Sequence, residues 1–206
     1  MKKEIKISFN NLGLRSFIEV DLCPECPRQD GKGCCGYYSP VFYPADFVYW
    51  LNTQPDMIDF LFQLPYLTVL DSSVTVNSPP EGSSYRCAMH DTEKGCRIPQ
   101  LIRESVCRHF VCPGIDWLSD CRLQTWKKFF DQLADYEIQL NNTISQIMQQ
   151  ENLSLRLKKQ RPLYFQRIKV HFDCLTENPP SFLTSCPPYE EFWLKRQISY
   201  GKEWPL

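Results

Sequence analysis

The sequence predicts an α+β fold in which small β-hairpins and cysteine-bearing loops pack against one long amphipathic helix. Three observations support this prediction. Apolar and polar residues alternate near the start of the chain, as is typical of β-strands. Eight cysteines fall into two groups of four within turn-rich sequence. Beyond residue 116, apolar residues recur at steps of three and four, which is the spacing of one helix face.

The alternating segments, residues 3–9 and 17–20, predict a first hairpin. Residues 10–13 between them read Asn-Asn-Leu-Gly, a turn-forming sequence. The second strand of this hairpin leads directly to the first cysteine of the chain.

The two groups of cysteines are the main functional signal. A soft metal ion or an iron–sulfur cluster takes thiolates from two or more loops, and such loops surround most of these residues. We therefore predict that the following eight cysteines bind metal: Cys23, Cys26, Cys34 and Cys35 in the first group, and Cys87, Cys96, Cys107 and Cys112 in the second.

The segments around the second group predict short elements. Helices are expected at residues 44–51 and 57–64, because proline is tolerated in a first helical turn and Pro65 ends the second segment. A second hairpin is expected at 66–76, a strand at 85–89, a polar turn at 90–95, and a helix at 99–106 that presents Cys107 near its end.

The longest predicted element is an amphipathic helix over residues 116–155. Residues 1–115 are thus expected to form a cysteine-cluster metal-binding region, and residues 116–206 the long helix and an irregular C-terminal arm rich in proline and aromatic residues. Both are expected to belong to one globular unit. Residues 152–170 contain no acidic residue. A basic run of this kind is most often a solvated face, so a protein partner at 156–169 or at the arm is the lesser possibility.

The composition of the chain indicates which kinds of binding partner and which cellular compartment to expect. The chain of 206 residues, 43% of them hydrophobic, can bury a sizeable core without a metal ion. A net charge of −1 provides no basic field for nucleic acid. The first residues lack an apolar signal segment, and no stretch reaches the roughly 18 apolar residues of a membrane span. We expect a cytoplasmic protein with no membrane partner, where reduced thiols favour metal over disulfides.

The choice of metal stays open between zinc and iron. Zinc favours tetrahedral sites of four cysteines, or of three cysteines and a histidine. A [4Fe–4S] cluster also needs four thiolates, and Cys112-Pro113 resembles the Cys-Pro ending of bacterial ferredoxin motifs, although the compact ferredoxin spacing is absent.

His90 and His109 are further candidate ligands or hydrogen-bond donors to ligands. We expect Cys121 in the core, Cys174 and Cys186 as buried or free thiols, and His171 as an ordinary residue of an alternating segment.

The order of the cysteines resembles that of the YkgJ-type cysteine-cluster family, whose members are described as zinc- or iron-chelating proteins. The resemblance covers residues 23–113, about half of the chain. It implies that all eight cysteines are ligands, that Asp46 occupies a position where an aspartate is frequent, and that residues 103–110 correspond to the family's Arg-Pro-x2-Cys-Arg-x-Phe signature. The chain departs from the family by seven residues between Cys26 and Cys34 and by Glu104 in place of proline.

Three functions are compatible with this sequence. The leading one is a non-enzymatic metal-binding protein. The second is an iron–sulfur redox or transfer enzyme related to the lysine methylases that carry such a cluster, although no glycine-rich turn for a methyl donor is present. The third is a zinc-stapled protein-interaction module. Motifs for a nucleophile triad, a phosphate loop or a metalloprotease are absent, so we assign no catalytic residue.

Overall fold

A computed structural model describes residues 2–21, 38–81, 84–91, 95–111, 115 and 117–197. Helices and small antiparallel sheets alternate along this part of the chain, which confirms the predicted α+β class. The predicted division at residue 115 stays a prediction.

The largest described sheet joins the beginning of the chain to its end. Its three strands are arranged in the order β10-β1-β2: β1 (Lys2–Asn10), β2 (Phe17–Val20) and β10 (Tyr189–Gln197). The predicted first hairpin is confirmed, because β1 and β2 pair in antiparallel fashion. The connection between them places Gly13 at a φ of +62°, a left-handed conformation that glycine adopts without steric cost.

Strand β10 corrects the prediction of an irregular C-terminal arm. It pairs with β1 along nine residues, from Tyr189 opposite Asn10 to Gln197 opposite Lys2. Leu194 is buried in the core, whereas Trp193 is exposed, so this strand has the usual two-faced pattern. Its pairing partner is β1, near the start of the chain, and a pattern of neighbouring residues does not reveal a partner so far away in sequence.

The other sheets are shorter. The predicted hairpin at 66–76 is confirmed and forms part of the sheet β3-β5-β4. The predicted strand at 85–89 is wrong, because only Tyr85 of these residues lies in a strand, and Cys87 follows in a loop. The strands are β3 (Val41–Phe42), β4 (Leu67–Val69), β5 (Val74–Val76), the pair β6 (Pro80–Glu81) and β7 (Ser84–Tyr85), and the pair β8 (His90–Asp91) and β9 (Gly95–Cys96).

The helices confirm the predicted segments at 44–51 and 57–64 and differ from the other expectations in three places. The predicted helix at 99–106 is wrong: a 3-10 turn at Gln100–Ile102 is followed by a separate short helix at Ser105–His109, which contains Cys107. The long helix begins later than predicted because residues 117–119 and 121–123 form 3-10 turns before it. The basic run after residue 155 leads into a further helix, so His171 lies on a helix instead of an alternating segment. The helices are α1 (Pro44–Thr53), α2 (Asp56–Gln63), α3 (Ser105–His109), α4 (Gln124–Gln150) and α5 (Arg161–Leu175).

Helix α4 contributes to two separate hydrophobic cores. Its first half packs Trp126, Phe129 and Leu133 against the sheet β10-β1-β2. Its second half packs Leu140 and Ile144 against α1, α5 and the β3-β5-β4 sheet. Burial of these large side chains provides most of the driving force for folding. None of the described helices combines the length and the apolar character that crossing a membrane requires.

Candidate metal centre

Three of the eight predicted ligands lie within the described residues, namely Cys87, Cys96 and Cys107. The other five, Cys23, Cys26, Cys34, Cys35 and Cys112, lie outside them. The described residues thus include three members of the second cysteine group.

Cys87 lies in the turn that leads into a small hairpin, and Cys96 lies in the second strand of this hairpin. The His90 N–H donates to the Cys87 carbonyl at 2.9 Å, and His90 lies opposite Cys96 in the β8–β9 pair. Gly95 has a φ of +77° in this hairpin, a conformation that favours glycine. The Arg97 N–H closes the base of the hairpin by donating to the Met89 carbonyl at 2.8 Å. Two predicted ligands and one candidate histidine thus belong to one compact unit.

The Cys87 sulfur is held by the backbone of the same hairpin. The Met89 N–H is directed at Cys87 Sγ, with 3.5 Å between nitrogen and sulfur, and the Cys87 side chain is buried. A hydrogen bond donated to sulfur stabilises the negatively charged thiolate, which is the form that binds metal. Backbone N–H groups directed at cysteine sulfurs also tune iron–sulfur centres. The surroundings of Cys87 therefore suit a thiolate ligand.

Cys107 lies on α3, where a buried carboxylate fixes its backbone. Glu104 precedes the helix and accepts hydrogen bonds from the N–H groups of Val106 (2.9 Å) and Cys107 (2.7 Å). Burial raises the pKa of the Glu104 carboxyl to about 7, although its hydrogen bonds from Cys107 oppose the rise. The Cys107 carbonyl accepts a further bond from Gln100 Nε2 at 2.9 Å. Position 104, where the resembled family commonly has proline, thus serves as the cap of α3.

A layer of buried charges lies beside α3, between the two hydrophobic cores. Arg15 Nη1 donates to Asp46 Oδ1 at 2.8 Å, and the Arg108 guanidinium pairs with Glu137 on α4. The Arg15 guanidinium also donates to the carbonyls of Leu101 and Arg103. We call this set the inter-core polar layer; its members are Arg15, Asp46, Glu104, Arg108 and Glu137.

Sequence reasoning missed the roles of Arg15 and Glu137 in this layer. Glu137 carries a usable signal, because it lies four residues after buried Leu133 and three before buried Leu140, on the apolar face of the long helix. A carboxylate at such a position needs a cationic partner. The sequence does not tell which cation that is, since Arg108 reaches Glu137 only through the folded chain.

The two clustered histidines have different surroundings. His90 is buried in strand β8, opposite Cys96. The His109 ring packs edge-to-face on Phe130, with 5.0 Å between ring centroids, and its Nε2 lies 3.9 Å from a Glu137 oxygen. Burial and the charges of Arg108 and Arg15 hold the pKa of His109 well below its usual value, so the ring is neutral at pH 7. His109 thus lies next to the inter-core polar layer.

The remaining cysteines are distributed over the surface and the core. Cys121 was expected in the core, and this expectation is wrong, since the residue is exposed in the 3-10 turn before α4. Cys174 is an exposed thiol on α5. Cys186 is buried in the core under the β10-β1-β2 sheet, and burial raises the pKa of its thiol.

Within the described ranges, no three side chains of histidine, cysteine, aspartate or glutamate come close enough together to hold a metal ion. A centre that uses Cys87, Cys96 or Cys107 would therefore need other members of the predicted set. Comparisons with protein-family models, with curated proteins and with solved structures found no match for this chain.

Proposed function

We propose that the protein binds zinc or iron through thiolates of its two cysteine groups. The observation that carries this proposal is the hydrogen bond from the Met89 N–H to Cys87 Sγ, in the turn that leads into the hairpin of Cys96. The proposed ligands are Cys23, Cys26, Cys34, Cys35, Cys87, Cys96, Cys107 and Cys112.

The chemistry of this donor set fits either metal. Four thiolates satisfy a structural zinc site, and four thiolates also satisfy a [4Fe–4S] cluster. Binding requires deprotonated thiols, so the affinity falls in acid as protons compete with the metal. The proposal includes a cytoplasmic location, because a reducing compartment keeps cysteines in the thiol form that metals take up.

Membership of the YkgJ-type family is part of the proposal and rests on the order of the cysteines. One contact of the structure supports it. Arg108, which matches the arginine of the family's Cys-Arg-x-Phe run, is fully buried against Glu137 and also donates to the Ser16 carbonyl at 2.6 Å. This arginine anchors α3, and with it Cys107, to the long helix and to the first hairpin. Rigid support of this kind favours a preorganised ligand.

The basic segment at 156–169 is a candidate surface for a protein partner. The Arg161 guanidinium lies over the Phe62 ring at 4.0 Å, and Arg167 forms an ion pair with Glu151. These contacts hold two of the basic residues against the body of the protein. Binding of a protein partner at this segment or at residues 178–206 stays a prediction.

Serine substitutions at the described cysteines test the proposal. In Cys87→Ser, Cys96→Ser and Cys107→Ser, we expect the bound metal per chain to fall by half or more, because serine is a poor ligand for a soft metal ion. Cys121→Ser and Cys174→Ser are matched controls at exposed positions, and we expect them to keep the full metal content. Equal metal content in all five variants would contradict the proposed ligand set, provided that circular dichroism shows each variant to be folded.

A further inference from the structure

Among the described residues, the outer edge of β10 is long and open. In the sheet β10-β1-β2 this strand lies at one end, and its nine residues pair with β1 on one side only. No second strand pairs with β10 in the described part of the chain. An edge of this length offers a row of backbone donors and acceptors to another strand.

The register of β1 and β10 determines which residues direct their backbone groups to this edge. The Asn11 N–H donates to the Pro188 carbonyl at 2.9 Å, so the even-numbered residues of this segment face β1. Hydrogen-bonded and non-hydrogen-bonded positions alternate in an antiparallel pair, so the odd-numbered residues face away. The backbone groups at the open edge therefore belong to Tyr189, Glu191, Trp193, Lys195 and Gln197.

The side chains of Tyr189, Glu191, Trp193 and Lys195 are also exposed to solvent. The side chain of Tyr189 is 51% exposed and that of Trp193 is 54% exposed, whereas Leu194, which follows Trp193, is buried. Large aromatic side chains are enriched at protein–protein interfaces, and here they stand beside unused backbone groups. The sheet edge thus combines backbone donors and acceptors with apolar surface.

We propose that this edge pairs with the same edge of a second copy of the chain, in an antiparallel arrangement with Trp193 on the two-fold axis. This register places Glu191 opposite Lys195 of the second copy, and it does so twice because the contact is symmetric. Every residue paired in this way is one whose backbone groups face the edge, so the ladder of hydrogen bonds continues across the dimer.

Electrostatic interactions favour this register over the registers that are shifted by two residues. A shift of two residues keeps the backbone match but places Glu191 opposite Trp193 or Gln197, and both ion pairs are lost. Opposite charges directly across a pair of strands stabilise it, and like charges destabilise it. Within one chain, Glu191 lies 3.4 Å from Lys6, and Lys195 lies 3.6 Å from Glu4. These exposed contacts orient both side chains on the outer face without burying them.

The test is sedimentation of the full chain over a concentration series, with charge-reversal variants. We expect a reversible dimer of the 24.3 kDa chain. Glu191→Lys and Lys195→Glu should each weaken the dimer about ten-fold, because each places like charges opposite one another at two symmetric positions. A mixture of the two variants should form heterodimers with close to wild-type affinity, since each charge then meets its opposite. Lys128→Glu, at an exposed position of α4, should have no effect.

A backbone variant tests the same contact independently of charge. Trp193→Pro removes an N–H that faces the open edge and not β1, so the monomer should fold while the dimer is lost. Circular dichroism reports on the fold. A chain that stays monomeric at every concentration would overturn the proposal. A dimer that tolerates Trp193→Pro, or a variant mixture that fails to form heterodimers, would overturn it as well.

Discussion

Glu137 links the long helix to the segment that carries Cys107. Its carboxylate accepts hydrogen bonds from the Arg108 guanidinium and from the Ser105 hydroxyl, both on α3. Arg108 and Glu137 are buried, so each charge depends on the other for the solvation that water no longer provides.

We therefore expect Glu137→Ala to be strongly destabilising. The substitution leaves a buried arginine without its carboxylate, which costs about 3–5 kcal/mol of unfolding free energy. Urea denaturation followed by circular dichroism measures this loss. Asp131→Ala on the same helix is the matched control, because Asp131 pairs with Lys127 in an exposed contact of 2.6 Å. Exposed pairs of this spacing contribute about 0.3–0.5 kcal/mol. Similar losses in the two variants would contradict the role assigned to Glu137.

Because of Glu151, we expect the free energy of unfolding to change with pH in the acid range. Hydrogen bonds from Arg167 and His171 lower the pKa of the Glu151 carboxyl to about 2, below the ordinary value of 4.5. A carboxyl whose pKa is lower in the folded state stabilises that state above pH 4.5. This contribution is lost as the pH falls from 4.5 through 2.

Glu151→Gln should remove this dependence. At pH 7 and low ionic strength we expect the variant to melt at a lower temperature than the wild type. The difference between the two should shrink as the pH falls below 4.5, because the carboxyl of the unfolded wild type becomes protonated there, whereas that of the folded chain keeps its charge until about pH 2. Thermal melts at pH 7, 4 and 2.5 provide the comparison. A difference that stays constant over this range would show that the ionised carboxyl does not stabilise the fold.

At the scale of elements, α4 organises the packing of α1 through a side-chain amide. Asn141 Oδ1 accepts a hydrogen bond of 2.9 Å from the Ala45 N–H, in the first turn of α1. The N–H groups of a first turn have no partner within their own helix. Asn141 supplies a hydrogen-bond acceptor for the Ala45 N–H from the neighbouring helix, inside the core.

Adjacent asparagines on α4 offer a direct test of this contact. Asn141→Ala should lower the unfolding free energy by about 1–3 kcal/mol, because the Ala45 N–H stays buried without an acceptor. Asn142→Ala changes the same residue type on the exposed face and should alter stability by less than about 0.5 kcal/mol. Urea denaturation of both variants isolates the contact, since the gain in helix propensity is the same. Equal effects would show that the hydrogen bond contributes nothing.

The elements that sequence patterns predict are those with local causes. The periodicity of α4 and the alternation of β1 and β2 are visible within short windows, and both are confirmed. Strand β10 was missed because its pairing with β1 spans almost the whole described chain. Helix α5 was missed because only Tyr164 and Ile168 of its fifteen residues are buried, so it lacks a wide apolar stripe.

At the scale of the whole molecule, a polar layer separates two hydrophobic cores, and α4 crosses all three. The layer contains Arg108 and Glu104, on either side of Cys107, so the cysteine-bearing segment is fixed at the junction of the cores. The cysteines can be found by counting in the sequence. The layer that supports one of them depends on pairs of charges brought together by folding, and no spacing in the sequence reveals these pairs.

The metal content of the purified chain shows most directly whether the two cysteine groups bind metal. The protein would be prepared without oxygen and without a metal-affinity tag, then analysed by elemental analysis and visible absorption. We predict bound zinc without colour, or bound iron with labile sulfide and broad absorbance near ~400 nm. The first result would favour a structural site and the second an iron–sulfur cluster. A folded protein with neither metal, and with all eight cysteine thiols freely reactive, would contradict the account.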